Sequence, residues 1–124
     1  MFKDTKAFSG FAVDDMAKAR EFYEQKLGIR VTDENGLLTL HLADGDRPTM
    51  IYPKPDFEPA TYTILNFPVA DIDEAVDALI ERGVDFEIYE DFGQDEKGVS
   101  RDAGPPIAWF RDPAGNILSV LQLD

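Results

Sequence analysis

The chain has 124 residues, a length that predicts one domain able to bury roughly two thirds of its unfolded surface. It contains no cysteine, which excludes a disulfide framework, a thiolate nucleophile and a cysteine-ligated zinc or iron–sulfur site. Twelve Lys/Arg against 25 Asp/Glu leave a net charge of −13, so nucleic acid and anionic membrane surfaces are excluded as partners.

The same acidity fits a cationic ligand, or simply a well-solvated surface. No apolar run approaches the about 20 residues of a membrane span. The opening MFKDTKAFSG has no apolar signal region. A cytoplasmic protein is expected.

Residues 7–13 form a short apolar strand in which Phe11 and Val13 share one face. Asp14 or Asp15 suits a helix N-cap, and Met16, Ala19, Phe22, Tyr23 and Leu27 then follow at helical spacing. Gly28 supplies a left-handed stop. Residues 37–42 alternate as a strand, Asp44-Gly45 marks a tight turn, and residues 49–52 return as another strand. Pro53, Pro55 and Pro59 make a stiff connector over residues 53–60.

The second half repeats this order. Residues 61–69 read as a strand, and Asp71 with Glu74 fits a capping box. Ile72, Ala75, Val76, Leu79 and Ile80 make the buried stripe of a helix that Gly83 ends. Residues 84–89 read as a strand and residues 90–106 as a long polar loop, a candidate lid. Residues 107–111 and 117–121 form a hairpin around Asp112-Pro113-Ala114-Gly115-Asn116.

The two halves also share a phrase. FAVDDMAKAREFYEQKLGI at residue 11 aligns with FPVADIDEAVDALIERGV at residue 67, with Phe11 on Phe67, Val13 on Val69 and Asp15 on Asp71. The chain is therefore expected to be α+β, with a βαβββ module written twice: residues 6–54 and residues 61–123. Two such sheets set edge to edge bend into a cup whose helices lie on the convex side.

With Phe22-Tyr23 and Leu27-Gly28 in the first helix, the chain resembles the vicinal-oxygen-chelate superfamily of glyoxalases, bleomycin-resistance proteins and extradiol dioxygenases. From Phe67-Pro68-Val69-Ala70-Asp71 through Asp95-Glu96-Lys97-Gly98 to the stretch 108–116 it is similar to a bacterial branch of single-chain members. The resemblance covers nearly the whole chain. It implies paired βαβββ modules, a homodimer and, in catalytic members, a divalent metal held by His or Glu from four strands.

Carried onto this sequence, two of those ligand positions fall five residues before each module's valine, on Phe8 and Ile64. A third falls on Ser119, and the fourth lies in the strand holding Met50 and Ile51. None is a good ligand for a hard or borderline divalent ion, so no metal or other cofactor is expected. Without a metal, the family's enzymes have no electrophile to stabilise an enediolate or activate oxygen.

His41, the single histidine, is a candidate base or a satisfied sheet residue. Ser119 as a nucleophile would depend on His41. By strand parity Phe8, Gly10 and Ala12, and Tyr62, Ile64 and Asn66, are expected to line the cup. Tyr52, Trp109 and Ser119 are added as walls, with His41 and Arg101 as polar contributors. Such a lining suits a small, largely apolar or aromatic organic ligand.

The expected function is a metal-free binding or sequestering protein. The alternatives are a lyase, isomerase or dioxygenase with unusual metal ligands, and a non-catalytic dimerising module.

Overall fold

The computed structural model describes residues 1–102 and 104–123. Two compact units are present, Met1–Phe57 and Glu58–Asp124. Ala103, inside the loop read over 90–106, lies outside the described residues.

In the first unit the strands are β1 (Ser9–Val13), β2 (Val31–Glu34), β3 (Leu37–Leu42) and β4 (Arg47–Pro53), in the order β1-β4-β3-β2. β1 runs parallel to β4, and the other pairs are antiparallel. Helix α1 (Met16–Glu21) continues as a π-helical turn, Phe22–Lys26. Asp15 is the cap: its Oδ1 accepts the Lys18 N–H at 3.1 Å. The wider turn leaves Phe22 and Tyr23 both buried, with their rings 5.2 Å apart and edge-on, and Tyr23 also 5.8 Å from Phe11. Alternation decides the rest. Phe11, Val13, Leu38, Leu40 and Ile51 are buried, while the intervening Met50 and Thr39 stand on the opposite face.

The second unit repeats the topology with β5 (Thr63–Val69), β6 (Ile107–Arg111) and β7 (Ile117–Gln122), in the order β5-β7-β6. Again the first strand runs parallel to the last, and the other pair is antiparallel. Helix α2 (Ile72–Glu81) is capped by Asp71, whose Oδ1 accepts the Glu74 N–H at 3.1 Å. Gly83 closes it with φ 88°, the Gly83 N–H bonding Ile80 O and the Val84 N–H bonding Leu79 O. That double bond pattern requires a left-handed residue, which glycine adopts without a Cβ penalty. Ile72 and Val76 are buried, as are Ala108, Phe110, Leu118 and Val120 on the sheet face that the helix covers.

One expected element differs. The strand read over 84–89 is reduced to a single bridge, Phe86 to Phe110, at the place that β2 takes in the first sheet. The reason is local. Beyond the Glu87 N–H bond to Trp109 O, the side-chain amide of Gln94 takes over the backbone. It accepts the Tyr89 N–H and donates to Glu87 O at 2.8 Å and Gly98 O at 2.7 Å. Those groups are thereby withdrawn from any ladder.

The hairpin between β6 and β7 is held by a buried polar knot. Asp112 Oδ1 accepts the N–H groups of Ala114 (3.0 Å) and Asn116 (2.9 Å), and its Oδ2 accepts Asn116 Nδ2 at 3.1 Å. Asn116 Oδ1 in turn accepts the Ala60 N–H at 3.3 Å, tying the start of the second unit to its last hairpin.

Candidate functional site

Antiparallel and parallel partners across a sheet share a face, so register assembles rows of side chains. On the face of the second sheet turned away from α2, one row is Asn66, Ser119 and Trp109, in register across β5, β7 and β6. Ser119 is fully buried, and its Oγ donates to Asn66 Oδ1 at 2.6 Å. Trp109 is half-buried and stands in an aromatic cluster. Its ring lies 5.7 Å from Tyr89, near edge-on at 73°, and 5.3 Å from Phe92, while Tyr89 and Phe92 are 5.5 Å apart.

Tyr89 and Phe92 are not singled out by the sequence, because Tyr89 ends the strand expected over 84–89 and Phe92 falls in a loop that reads as polar. The only signal was their spacing of three, which a turn brings together: the Phe92 N–H bonds Tyr89 O. Phe92 remains 47% exposed, so the cluster is open to solvent on that side.

The loop that carries this cluster is folded, not slack. Asp95 Oδ1 accepts the N–H groups of Lys97 and Val99, and Ser100 Oγ donates to Phe92 O at 2.8 Å. Gly98, at φ 95°, lies where a Cβ would meet Phe86 Cβ at 3.2 Å and Glu87 O at 3.3 Å, so the turn excludes a side chain. Two ion pairs clasp the loop to α2: Lys97 to Asp77 at 2.6 Å, and Arg101 Nη2 to both oxygens of Asp73 at 2.8 and 2.9 Å.

The hydrogen bond to Asp77 raises the Lys97 pKa above the ordinary 10.5. A raised lysine pKa means that the pair's contribution is complete at neutral pH and lost only as pH climbs through that raised value. Both pairs are solvent-exposed, so salt rather than acid or base is the agent that loosens them near neutrality.

Gln94→Ala is expected to lower the local opening free energy of the loop by about 2 kcal/mol, because three backbone partners of a half-buried amide are lost. Hydrogen exchange of the amides between Tyr89 and Ser100 should accelerate about 30-fold at this cost. Unchanged exchange there would mean that the amide does not hold the loop.

The other sequence-selected residues are placed as follows. Ile64 has no partner in the β5–β7 ladder, because a bulge between Thr63 and Leu65 takes it out of register; simple parity along β5 therefore does not carry from Asn66 to Ile64. Tyr62 precedes β5 and is exposed; Phe8 precedes β1 and is 61% exposed. Tyr52, paired with Ala12, is exposed on the face of the first sheet that also carries Gly10, Met50 and Thr39. Met50 rather than Ile51 occupies that face, in the place topologically equivalent to Ser119.

His41 Nε2 is hydrogen-bonded to the Thr32 hydroxyl across β2 and β3 at 2.8 Å. Arg101 is engaged with Asp73. Among the described residues no group of three or more His, Asp or Glu stands close enough to hold a metal ion. The partner of Ser119 is an amide oxygen, which cannot take a proton as a catalytic base does.

A family model, the Glyoxalase/Bleomycin resistance protein/Dioxygenase superfamily, matches residues 8–120. The chain is similar in fold to TnmS3, an antibiotic binding protein from Streptomyces sp. CB03234, with 23% identity over 98% of each chain and a TM-score of 0.74. It is also similar to the glyoxalase family protein from Enterococcus faecalis, with 25% identity over 97% of this chain and 98% of that one and a TM-score of 0.67. The fosfomycin resistance protein FosX from Mesorhizobium loti aligns at 14% identity over 98% of this chain and 93% of that one, with a TM-score of 0.66. A search of curated proteins gave no match.

Proposed function

Because the chain belongs to the glyoxalase/bleomycin resistance protein/dioxygenase superfamily, we propose that it is a binding protein that holds a small, largely apolar or aromatic molecule without a metal. The observation that carries this reading is the half-buried Trp109, edged by Tyr89 and Phe92, in one row with the Ser119–Asn66 pair. A ring platform beside a few fixed polar groups is the usual composition of a site for an organic ligand. The fold likeness to an antibiotic binding protein supports the same direction.

The donor set argues against the family's metal. The positions in question carry a phenyl ring at Phe8, a hydrocarbon at Ile64, a thioether at Met50 and a hydroxyl already bonded at Ser119. A divalent ion of the family's type prefers imidazole and carboxylate, so these side chains do not fit it. In this reading each unit carries exposed aromatic surface of its own, Phe8 and Tyr52 in the first and Tyr62 in the second, and the protein works as a homodimer in the cytoplasm. No helix is long and apolar enough to cross a membrane among the described residues.

The test is a melting screen against hydrophobic cations and neutral aromatic compounds, read together with the fluorescence of Trp109, the chain's single tryptophan. A true ligand at about 100 times its Kd should raise the melting temperature by about 10 °C. It should also quench or shift the indole emission. No thermal shift and no fluorescence change with any compound would sink the reading. So would one tightly retained equivalent of nickel, zinc, iron or manganese in protein purified without a tag.

A further inference from the structure

The row Asn66–Ser119–Trp109 contains more information than an apolar platform, because one of its members has a fixed polarity. The Ser119 hydroxyl is fully buried and donates to Asn66 Oδ1 at 2.6 Å. A carboxamide is planar, with its oxygen and its NH2 group on opposite sides of the terminal carbon. Once the oxygen is turned to β7, the NH2 group is turned away from it. Asn66 is exposed, and among the described residues its Nδ2 has no hydrogen-bond partner.

The row therefore offers two unused N–H donors on the side of the amide turned away from β7, while its oxygen is turned to Ser119 and keeps one lone pair. Trp109 lies two strands away along the same row, about 10 Å between backbones at the ordinary strand spacing.

We propose that Asn66 is a specificity-determining donor, selecting planar aromatic ligands that carry a neutral acceptor oxygen, such as a ketone, amide or quinone carbonyl, beside the ring placed against Trp109. Ser119 is the positioning residue that sets which end of the amide faces the ligand. The charge of −13 selects the neutral acceptor over a carboxylate, which the molecule repels at long range. This inference rests on the aromatic-ligand reading above and adds the chemical class of the ligand.

A matched probe pair separates the two ideas: 2-acetylnaphthalene and 2-ethylnaphthalene share a ring system and differ by a carbonyl against a methylene. Dissociation constants are measured by NMR titration of the folded chain. The wild type should bind the ketone about fivefold more tightly than the hydrocarbon, the worth of one net hydrogen bond.

Asn66→Leu should bring the ratio to about one, and the ratio of two probes on one folded variant cancels any change that the substitution makes to both. Ser119→Ala, a small change in a buried site, frees the amide to turn and should reduce the ratio to about twofold with Asn66 still present. Asn66→Asp replaces donors with an acceptor and should transfer the preference to 2-(aminomethyl)naphthalene, a change that a merely structural role would not produce.

Equal wild-type binding of ketone and hydrocarbon overturns the role of Asn66 and leaves the aromatic reading standing. An undiminished ratio in Ser119→Ala overturns the positioning role. Failure of both naphthalenes to bind overturns the aromatic reading and this inference together.

Discussion

Asp112→Ala is expected to destabilise the protein by about 3 kcal/mol, a large part of the 5–15 kcal/mol that a domain usually has. Asp112 is 4% exposed and accepts three hydrogen bonds, two from the backbone of its own turn and one from the Asn116 side chain. The carboxylate's removal leaves the buried Asn116 N–H and its amide group without this acceptor, and water does not reach a residue only 2% exposed. Each abandoned buried donor costs roughly 1–3 kcal/mol, so the sum rather than any single bond sets the scale.

Urea denaturation should register a midpoint lower by roughly 2 M at unchanged slope. A drop corresponding to under about 1 kcal/mol would show that the turn is held by its backbone alone. Asp112→Asn is the informative control. It keeps one oxygen for the two turn N–H groups and exchanges the other for a donor that faces Asn116 Nδ2. The loss should fall between wild type and alanine.

The consequence reaches the candidate site. The β6–β7 hairpin sets the register that puts Trp109 opposite Ser119, which β7 in turn pairs with Asn66 of β5. A turn that slips by one residue would send every side chain of β7 to the other face.

Trp109→Ala is expected to weaken aromatic ligands about 30-fold, close to 2 kcal/mol, while leaving the fold intact. The indole is half-buried, so part of its area already contacts Tyr89 and Phe92, and only the remainder is available to a ligand. That limits the stability cost and concentrates the effect on binding. Trp109→Phe should recover most of the affinity, because a ring face is restored, and affinity by calorimetry replaces the lost fluorescence. Equal affinity of the alanine variant and wild type would remove Trp109 from the site.

Much of this molecule was legible without coordinates. The 56-residue echo between Phe11 and Phe67 announced two copies of one unit, and the two sheets do share a topology with a parallel first-to-last pairing. Asp71, and one of Asp14 and Asp15, were readable as caps because a short acidic side chain just before a helical stripe can accept the helix's first free N–H groups; Asp15 and Asp71 both accept the N–H three residues on. The strand at 84–89 was misjudged because apolar alternation does not reveal that Gln94, several residues later, will claim its backbone groups. The bulge at Ile64 escaped for a similar reason: one extra residue in a strand alters no composition and leaves no mark that periodicity can detect.

The amino-acid sequence by itself determined the repeat, the helix ends, the turn chemistry of 112–116 and the poor ligand chemistry at Phe8, Ile64, Ser119 and either of Met50 and Ile51, because these depend on residue type and near-neighbour spacing. Only the tertiary structure decided that Ser119 meets Asn66 rather than a base, that Arg101 is spent on Asp73 and His41 on Thr32, and that Tyr89 and Phe92 gather around Trp109. Those pairings join residues that register and loop folding bring together, and register is a property of the paired strands, not of either strand alone.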